Sequence, residues 1–175
     1  MSQQPLWTTE ALARAMGGRL AGSPAATVSD ISIDTRTLNP GEAYVAIKGH
    51  AHDGHAFVQA ALDKGAAVAV VSSDWAQAAP PGAYIVVADP LKALEKAGAV
   101  ARARTAAKIL AVTGSIGKTS TKEALAQVLS REGRTHAPPK SFNNHIGVPL
   151  TLTRMPASSQ FGVFEIGMNH AGEIT

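Results

Sequence analysis

The sequence predicts an α/β protein in which helices alternate with short, mostly parallel strands. Segments 67–71 and 84–87 are apolar throughout, as expected of strands buried on both faces of a parallel sheet. Segments with helical spacing of apolar residues lie between the strands, and parallel strands need such crossover connections. A glycine-rich turn at 113–120 separates one further strand from a helix, which is typical of doubly wound domains.

The N-terminal half contains most of the predicted elements. Thr8 or Thr9 can cap a first helix, which is expected to end at Gly17. Asp89 is predicted to cap a later helix, with Pro90 at its first position, where the missing N–H costs nothing. The remaining predicted elements of this half are strands at 28–33, 44–48, 67–71 and 84–87 and a helix at 57–64.

A second unit is predicted after a junction at 105–107. It begins with a strand at 109–112, continues with a helix at 121–129, and includes a short strand at 161–165 that ends in a carboxylate. We therefore predict a small α/β domain over residues 1–106. We predict the first part of a doubly wound, phosphate-loop domain over 107–175.

Composition excludes several classes of protein. With no cysteine, the chain has no disulfide framework, cysteine zinc site or cysteine nucleophile. The net charge of +3 weakly favours an anionic ligand, whereas 5% aromatic residues argue against a base-stacking surface. No run approaches the roughly 20 apolar residues of a membrane span, and the N-terminus has no signal-peptide pattern, so a cytoplasmic protein is expected.

The glycine-rich turn has the order of a phosphate cradle: strand, glycine loop, Gly-Lys-Thr, helix. Glycines allow backbone N–H groups to converge on phosphate oxygens, and a helix N-terminus adds positive potential. Lys118 is predicted to reach the β- and γ-phosphates of ATP as the catalytic cation, and Thr119 to ligate Mg²⁺. The predicted nucleotide-binding residues are Gly114, Ser115, Ile116, Gly117, Lys118, Thr119 and Ser120.

The spacing of this loop differs from the common one. Two residues separate Gly114 from Gly117, whereas four residues separate the glycines of the usual motif, whose first glycine would fall at Val112. A simpler alternative is therefore a glycine turn before a lysine-bearing helix. Glu165 ends the strand 161–165 and is predicted to hold Mg²⁺ together with Thr119, because such an acid beside a phosphate loop commonly does so.

Several segments together resemble the Mur ligases, the ATP-dependent amide-forming enzymes of peptidoglycan synthesis. Residues 113–119 match the family's short loop Thr-Gly-x-x-Gly-Lys-Thr/Ser, and 142–152 and 165–174 are similar to the D-alanyl-D-alanine-adding members. In the first unit, Asp34-Thr35-Arg36 resembles the family's Asp-Ser-Arg. Segments 41–49 and 53–55 resemble its uridine-diphosphate-binding segments.

The resemblance implies a monomeric, three-domain enzyme that uses ATP and Mg²⁺, with no nucleic-acid or membrane partner. The first domain would bind the UDP end of UDP-N-acetylmuramoyl-tripeptide, the second ATP, and the third D-alanyl-D-alanine. ATP would convert the terminal carboxylate of the peptide to an acyl phosphate, which the incoming amine attacks. A third domain and the rest of the second would lie beyond Thr175, so this chain alone is expected to be inactive.

The resemblance also implies substrate-binding residues in both units. Asn143 and Asn144 would orient substrate oxygens without adding charge, although the pair by itself predicts only a turn. Arg36 would contact a UDP or muropeptide oxygen, with an ordinary surface arginine as the alternative. The full set is Thr35, Arg36, Gly49, Asp53, Gly54, His55, Asn143 and Asn144.

Other interpretations of the same residues remain open. Residues 50–55 approach the di-metal hydrolase pattern His-x-His-x-Asp-His, but Gly54 occupies the aspartate position, so His50 and His52 are assigned to a solvated loop. Besides a ligase, the chain is compatible with a general phosphate-loop ATPase, GTPase or small-molecule kinase. A non-catalytic UDP-sugar-binding module is the third possibility.

Overall fold

The computed structural model of the chain describes residues 5–49, 52–139 and 142–167. The chain forms two compact units, Met1–Ala97 and Gly98–Thr175. This division falls inside a helix, whereas the domain prediction placed the boundary after residue 106.

The strands are β1 Trp7–Thr8, β2 Arg19–Ala21, β3 Thr27–Val28, β4 Ile31–Ser32, β5 Ala43–Val45, β6 Val68–Ser72, β7 Tyr84–Val87, β8 Lys108–Val112, β9 Thr135–His136 and β10 Phe161–Glu165. The helices are α1 Thr9–Met16, α2 Val58–Asp63, α3 Ser73–Ala76, α4 Pro90–Ala103, α5 Lys118–Leu129 and α6 Gly147–Thr153, with a 3₁₀ helix at Gly54–Phe57.

The main sheet of the first unit has the strand order β2-β7-β6-β5-β4. The four strands β4 to β7 are mutually parallel, and β2 pairs antiparallel at one edge. Every residue of β7, and Val68 to Val71 of β6, is buried, which explains why these segments are apolar without alternation. The predicted α/β class with parallel strands is confirmed for this unit.

Two strand predictions in this unit need correction. The single strand predicted at 28–33 is wrong, because Val28 belongs to β3, which pairs with β1, whereas Ile31 belongs to β4, which pairs with β5. Between the two strands, the Ser29 N–H donates to the Gly41 carbonyl and the Asp30 carbonyl accepts from the Ala43 N–H, so the chain changes its pairing partner within two residues. The strand predicted at 44–48 ends at Val45, because the Ile47 N–H turns back to the Val45 carbonyl.

The predicted caps of α1 and α4 and the predicted end of α1 are confirmed, whereas the helix predicted at 57–64 is α2, Val58–Asp63, preceded by the 3₁₀ helix Gly54–Phe57. The Thr8 hydroxyl caps α1 by accepting from the Ala11 N–H at 3.2 Å, and Gly17 ends the helix in the left-handed region at φ 65°. Asp89 caps α4 through its Oδ1, which accepts from the N–H groups of Leu91 and Lys92. These local contacts are readable from sequence because each spans only a few residues.

The second unit contains a parallel sheet with the order β8-β10-β9. Its strand β10 has the predicted bounds, whereas α5 begins three residues before the predicted helix at 121–129, directly after Gly117. The helix α6 was not predicted. Among the described residues, no helix combines the length and the apolar character that crossing a membrane requires.

Candidate functional site

The glycine loop lies between β8 and α5, and its residues Gly114 to Gly117 are exposed. Gly114 and Gly117 have φ angles of 144° and 79°, a region that side chains other than glycine rarely adopt. The Lys118 ammonium donates to the Gly114 carbonyl at 2.7 Å and so closes the loop on itself. The loop leads into the first turn of α5, whose N–H groups have no acceptor within the helix.

Three side chains meet beside this loop. The Thr119 hydroxyl donates to Glu165 Oε2 at 2.9 Å, and the Asn143 amide donates to Glu165 Oε1 at 2.9 Å. The Glu165 side chain is buried, with 2% of the residue exposed. Both carboxylate oxygens therefore have a donor on a different element, and the three residues form one hydrogen-bonded cluster.

Strand register explains why these distant residues meet. In the parallel pair of β10 with β8, Glu165 lies opposite Val112, and the Ile166 N–H continues the ladder to the Val112 carbonyl at 2.9 Å. The carboxylate thus stands at the carboxyl edge of the sheet, where β8 runs into the glycine loop. The Gly167 N–H donates to the Asn143 carbonyl at 2.8 Å, which holds Asn143 at the same edge. This edge is where open parallel sheets bind ligands.

The donor set fits Mg²⁺. A hydroxyl and a carboxylate supply hard oxygen atoms, and Mg²⁺ is usually held by one or two carboxylates together with phosphate oxygens and water. Within the described ranges no group of three or more His, Cys, Asp or Glu could form an all-protein metal cage. Thr119 and Glu165 are the residues of this cluster whose oxygen atoms could hold such a metal.

A separate cavity of about 510 Å³ lies in the first unit. It opens where β6 and β7 end and where α3 and α4 begin, which is again the carboxyl edge of parallel strands. Asp89 borders the cavity while capping α4. The lining residues are Lys48, Asp53, His55, Ser72, Asp74, Trp75, Ala88, Asp89, Pro90 and Leu91.

His55 uses both of its ring nitrogens to contact other residues that line the cavity. Its Nε2 accepts from the Ser72 backbone N–H at 3.0 Å, so this nitrogen carries no proton. Its Nδ1 then donates to Asp53 Oδ1 at 2.6 Å. The backbone N–H of His55, followed by its ring, lowers the pKa of Asp53. The imidazole therefore joins the 3₁₀ helix to the end of β6.

Tyr44 lies in the predicted UDP-binding segment 41–49 and contacts the other such segment, 53–55. Its hydroxyl donates to the Gly54 carbonyl at 3.0 Å. Burial raises the pKa of Tyr44 to about 12, and the charges of Asp34 and Asp53 add to the shift. Asp34 and Asp53 therefore act on the same phenol. The exposed Arg36 guanidinium forms an ion pair with Asp34 at 2.7 Å.

Two family models match the chain. One is described as the Mur ligase middle domain and matches residues 112–175, and the other as the Mur ligase family catalytic domain and matches residues 27–137. The second model alone covers more than half of the 175 residues. The chain belongs to the Mur ligase family. The parallel sheets and the short loop found above agree with this membership.

Curated relatives of this Mur ligase chain carry the name UDP-N-acetylmuramoyl-tripeptide–D-alanyl-D-alanine ligase. The protein of Rickettsia prowazekii is 34% identical over 170 residues, which cover 97% of this chain and 37% of the relative. The protein of Escherichia coli is 38% identical over 167 residues, which cover 95% of this chain and 36% of the relative. The chain spans about a third of the length of these curated relatives.

Solved structures agree with the sequence relatives. A crystal structure of MurF from Acinetobacter baumannii superposes with a TM-score of 0.82 at 36% identity, covering 99% of this chain and 38% of that one. MurF from Thermotoga maritima in complex with ADP superposes with a TM-score of 0.63 at 26% identity, covering 78% of this chain and 31% of that one. The mixed α/β fold predicted for the Mur ligase chain is thereby confirmed.

The structure brings some predicted site residues together and separates others. Thr119, Glu165 and Asn143 are in contact, but the side-chain Oδ1 of Asn144 accepts from the N–H groups of Ile146 and Gly147 at the start of α6. Thr35 presents its carbonyl to the Lys64 ammonium. The Gly49 N–H donates to the carbonyl of His52, whose side chain is exposed. His50 and the segment 168–174 lie outside the described residues.

Sequence reasoning missed several residues of these sites. Asp74 and Trp75 line the cavity of the first unit, and Lys122, on α5 four residues after Lys118, is buried. For Asp74 and Trp75 a signal was available, because they follow the apolar run at 67–71, where strand ends carry ligand contacts. For Lys122 no signal was available, since its burial depends on chain segments distant in sequence.

Proposed function

We propose that this Mur ligase chain forms the UDP-binding and ATP-binding parts of an ATP-dependent amide ligase. The enzyme joins D-alanyl-D-alanine to UDP-N-acetylmuramoyl-tripeptide. The observation that carries the proposal is the cluster of Thr119, Glu165 and Asn143 beside the loop of Lys118. The names of relatives at 34% and 38% identity supply the reaction.

The chemistry requires activation of a carboxylate, which is a poor acyl donor. A carboxylate oxygen of the tripeptide attacks the γ-phosphorus of ATP, the bond to ADP breaks, and an acyl phosphate forms. The amine of D-alanyl-D-alanine then attacks the carbonyl carbon. The tetrahedral intermediate releases phosphate, and the amine nitrogen loses a proton to solvent.

Each residue of the second unit has a role in this scheme. Lys118 contacts the β- and γ-phosphates once the nucleotide replaces its bond to the Gly114 carbonyl. Thr119 and Glu165 hold Mg²⁺, which supplies charge neutralisation between the two anionic substrates. Asn143 orients substrate oxygens through its neutral amide.

The first unit has the role of holding the UDP end of the muropeptide. Its cavity of about 510 Å³ is within the range of small-molecule sites and is bordered by Lys48, Asp53 and His55. Gly54, between the lining residues Asp53 and His55, accepts from the Tyr44 hydroxyl through its carbonyl. Arg36 pairs with Asp34, whose charge raises the pKa of the same phenol. We assign Thr35, Arg36, Gly49, Asp53, Gly54 and His55 to this subsite.

The test is an activity assay on the protein expressed from the complete gene. We expect ADP release that requires both UDP-N-acetylmuramoyl-tripeptide and D-alanyl-D-alanine, with a product of the summed mass less one water. ADP release without D-alanyl-D-alanine would instead support a general phosphate-loop ATPase. Binding of the UDP-muropeptide with no turnover would support a non-catalytic module.

The 175-residue chain provides a second measurement. We expect thermal stabilisation of this chain by UDP-N-acetylmuramoyl-tripeptide and by ATP with Mg²⁺, since a ligand that binds only the folded state raises its stability. We expect no ligation by this chain alone. Measurable ligation would contradict the assignment of the D-alanyl-D-alanine site to a further domain.

A further inference from the structure

Lys122 is a buried lysine on α5, the helix that follows the glycine loop. It lies on α5 four residues after Lys118 and three after Thr119, so the three side chains share one face of the helix. Only 1% of Lys122 is exposed, and its ammonium donates to the Pro138 carbonyl at 2.9 Å. Burying a lysine is costly, and an apolar side chain of similar volume would pack at a lower desolvation cost.

The Pro138 contact occurs where the chain leaves the sheet. Residue 138 follows the end of β9 at His136, and β9 pairs with β10 through the register of His136 with Gly162. Pro138 is itself buried, so its carbonyl needs a protein donor. Lys122 supplies that donor from the helix that carries the phosphate-binding residues.

Asn143 also has contacts that fix its position in this unit. Asn143 donates to Glu165, and its carbonyl accepts from the Gly167 N–H. Thr119 on α5 donates to the other oxygen of Glu165. The helix α5 thus contacts Pro138 through Lys122 and contacts Glu165, which also binds Asn143, through Thr119.

We infer that Lys122 is a positioning residue for the proposed Mg²⁺–nucleotide site. By fixing α5 at Pro138, which follows β9, it sets where Thr119 on α5 meets the carboxylate of Glu165 on β10, the strand that pairs with β9. Lys122 itself contacts neither nucleotide nor metal. This inference rests on the proposed ATP site and adds a residue outside the glycine loop and the two metal-holding side chains.

The test measures nucleotide affinity rather than turnover. Calorimetric titration with a non-hydrolysable ATP analogue, with and without Mg²⁺, is carried out on the complete gene product and on Lys122→Met. We expect the variant to lose about tenfold or more of the affinity gained from Mg²⁺, as is typical when a residue that orients a metal ligand is removed. The Mg²⁺-free affinity should be unchanged, because Lys118 and the loop are intact.

Matched variants separate positioning from folding. Lys108→Met removes an exposed lysine of the same unit and should bind as wild type does. Lys122→Arg keeps charge and donors and should restore most of the Mg²⁺-dependent gain. Should Lys122→Met not fold, the same titration is made on Lys122→Gln, whose shorter side chain does not reach Pro138.

The outcomes distinguish the two proposals. A wild-type protein that does not bind the analogue, or gains nothing from Mg²⁺, contradicts the proposed ATP site itself. A wild-type Mg²⁺ effect that persists in folded Lys122→Met overturns only the positioning role. Loss of folded structure in both Lys122→Met and Lys122→Gln would assign the residue to stability and would likewise overturn it.

Discussion

The hydroxyl of Thr119 donates a 2.9 Å hydrogen bond to the carboxylate of Glu165, although 46 positions separate the two residues in sequence. Thr119 stands in the first turn of α5, and Glu165 is the last residue of β10. The contact places a hard-oxygen pair directly beside the glycine loop. Its energetic value depends on burial, since a carboxylate with 2% exposure has little water to screen it.

Replacement of Glu165 by glutamine tests this pair. The amide keeps the shape but offers one oxygen, no charge and an N–H₂ group that competes with the Thr119 and Asn143 donors. We expect the Mg²⁺-dependent part of the affinity for an ATP analogue to fall by about tenfold or more, measured by calorimetry on the complete gene product. The matched control is Glu123→Gln, which changes an exposed glutamate of α5, the helix that carries Thr119. An equal loss of affinity in this variant would contradict the assignment.

Gly54 is required by close packing in the predicted UDP loop. A Cβ at this position would lie 2.7 Å from the Ile47 carbonyl oxygen and 2.8 Å from the Ile47 nitrogen. We expect Gly54→Ala to lower the free energy of unfolding of the first unit by about 1–3 kcal/mol, the range of overpacked sites. Trp7 and Trp75, the two tryptophans of the chain, both lie in this unit, so their fluorescence in a urea titration reports its unfolding.

Gly49→Ala is the matched control for that measurement. A Cβ at Gly49 would meet the His52 carbonyl at 3.5 Å, an ordinary contact distance. We expect this variant to unfold at the same urea concentration as wild type. Equal destabilisation by both alanines would mean that close approach to Ile47 is not what requires glycine at position 54.

His55 is expected to stabilise the first unit through the Ser72 N–H. In His55→Gln the ring nitrogen that accepts this bond is lost, and leaving a part-buried donor unpaired costs about 1–3 kcal/mol of unfolding free energy. The same urea titration measures the loss. His52→Gln changes an exposed histidine of the same segment and should have no effect. An unchanged urea midpoint for His55→Gln would contradict a stabilising role for the hydrogen bonds of Asp53, His55 and Ser72.

The second unit is expected to lose stability in mild acid because of His136. Burial lowers the pKa of His136 below its ordinary value of 6.5, and the charge of Arg154 lowers it further. The unfolded chain therefore binds a proton at higher pH than the folded unit does. Stability is fully present above pH 6.5 and is lost as the pH falls through the folded-state pKa.

Hydrogen–deuterium exchange of the β10 amides measures this effect in the second unit, which lacks the tryptophans. Protection should fall with pH after correction for intrinsic exchange. In His136→Gln the acid dependence over this window should largely disappear, whereas the exposed His145, replaced in the same way, should leave it intact. If His136→Gln loses as much amide protection in acid as wild type does, the effect comes from other titratable groups.

Local signals predicted local structure well. The caps at Thr8 and Asp89 and the strand bounds at 84–87 and 161–165 all depend on contacts or patterns within a few residues. The strand predicted at 28–33 was wrong because an alternating pattern cannot reveal that Val28 pairs with β1 whereas Ile31 pairs with β5. The helix α6 was missed because its side chains have no clear amphipathic period.

The sequence by itself determined the α/β class, the glycine loop and its lysine, and, through the motifs at 113–119, 142–152 and 165–174, membership of the Mur ligase family. Only the tertiary structure decided that Asn143, rather than Asn144, contacts Glu165. It alone placed Lys122 against Pro138 and Trp75 at the cavity. The reason is physical: the pairing of β10 with β8, the contact of Asn143 with Glu165 and the burial of Lys122 all depend on segments far apart in the chain, which the residues around each position do not specify.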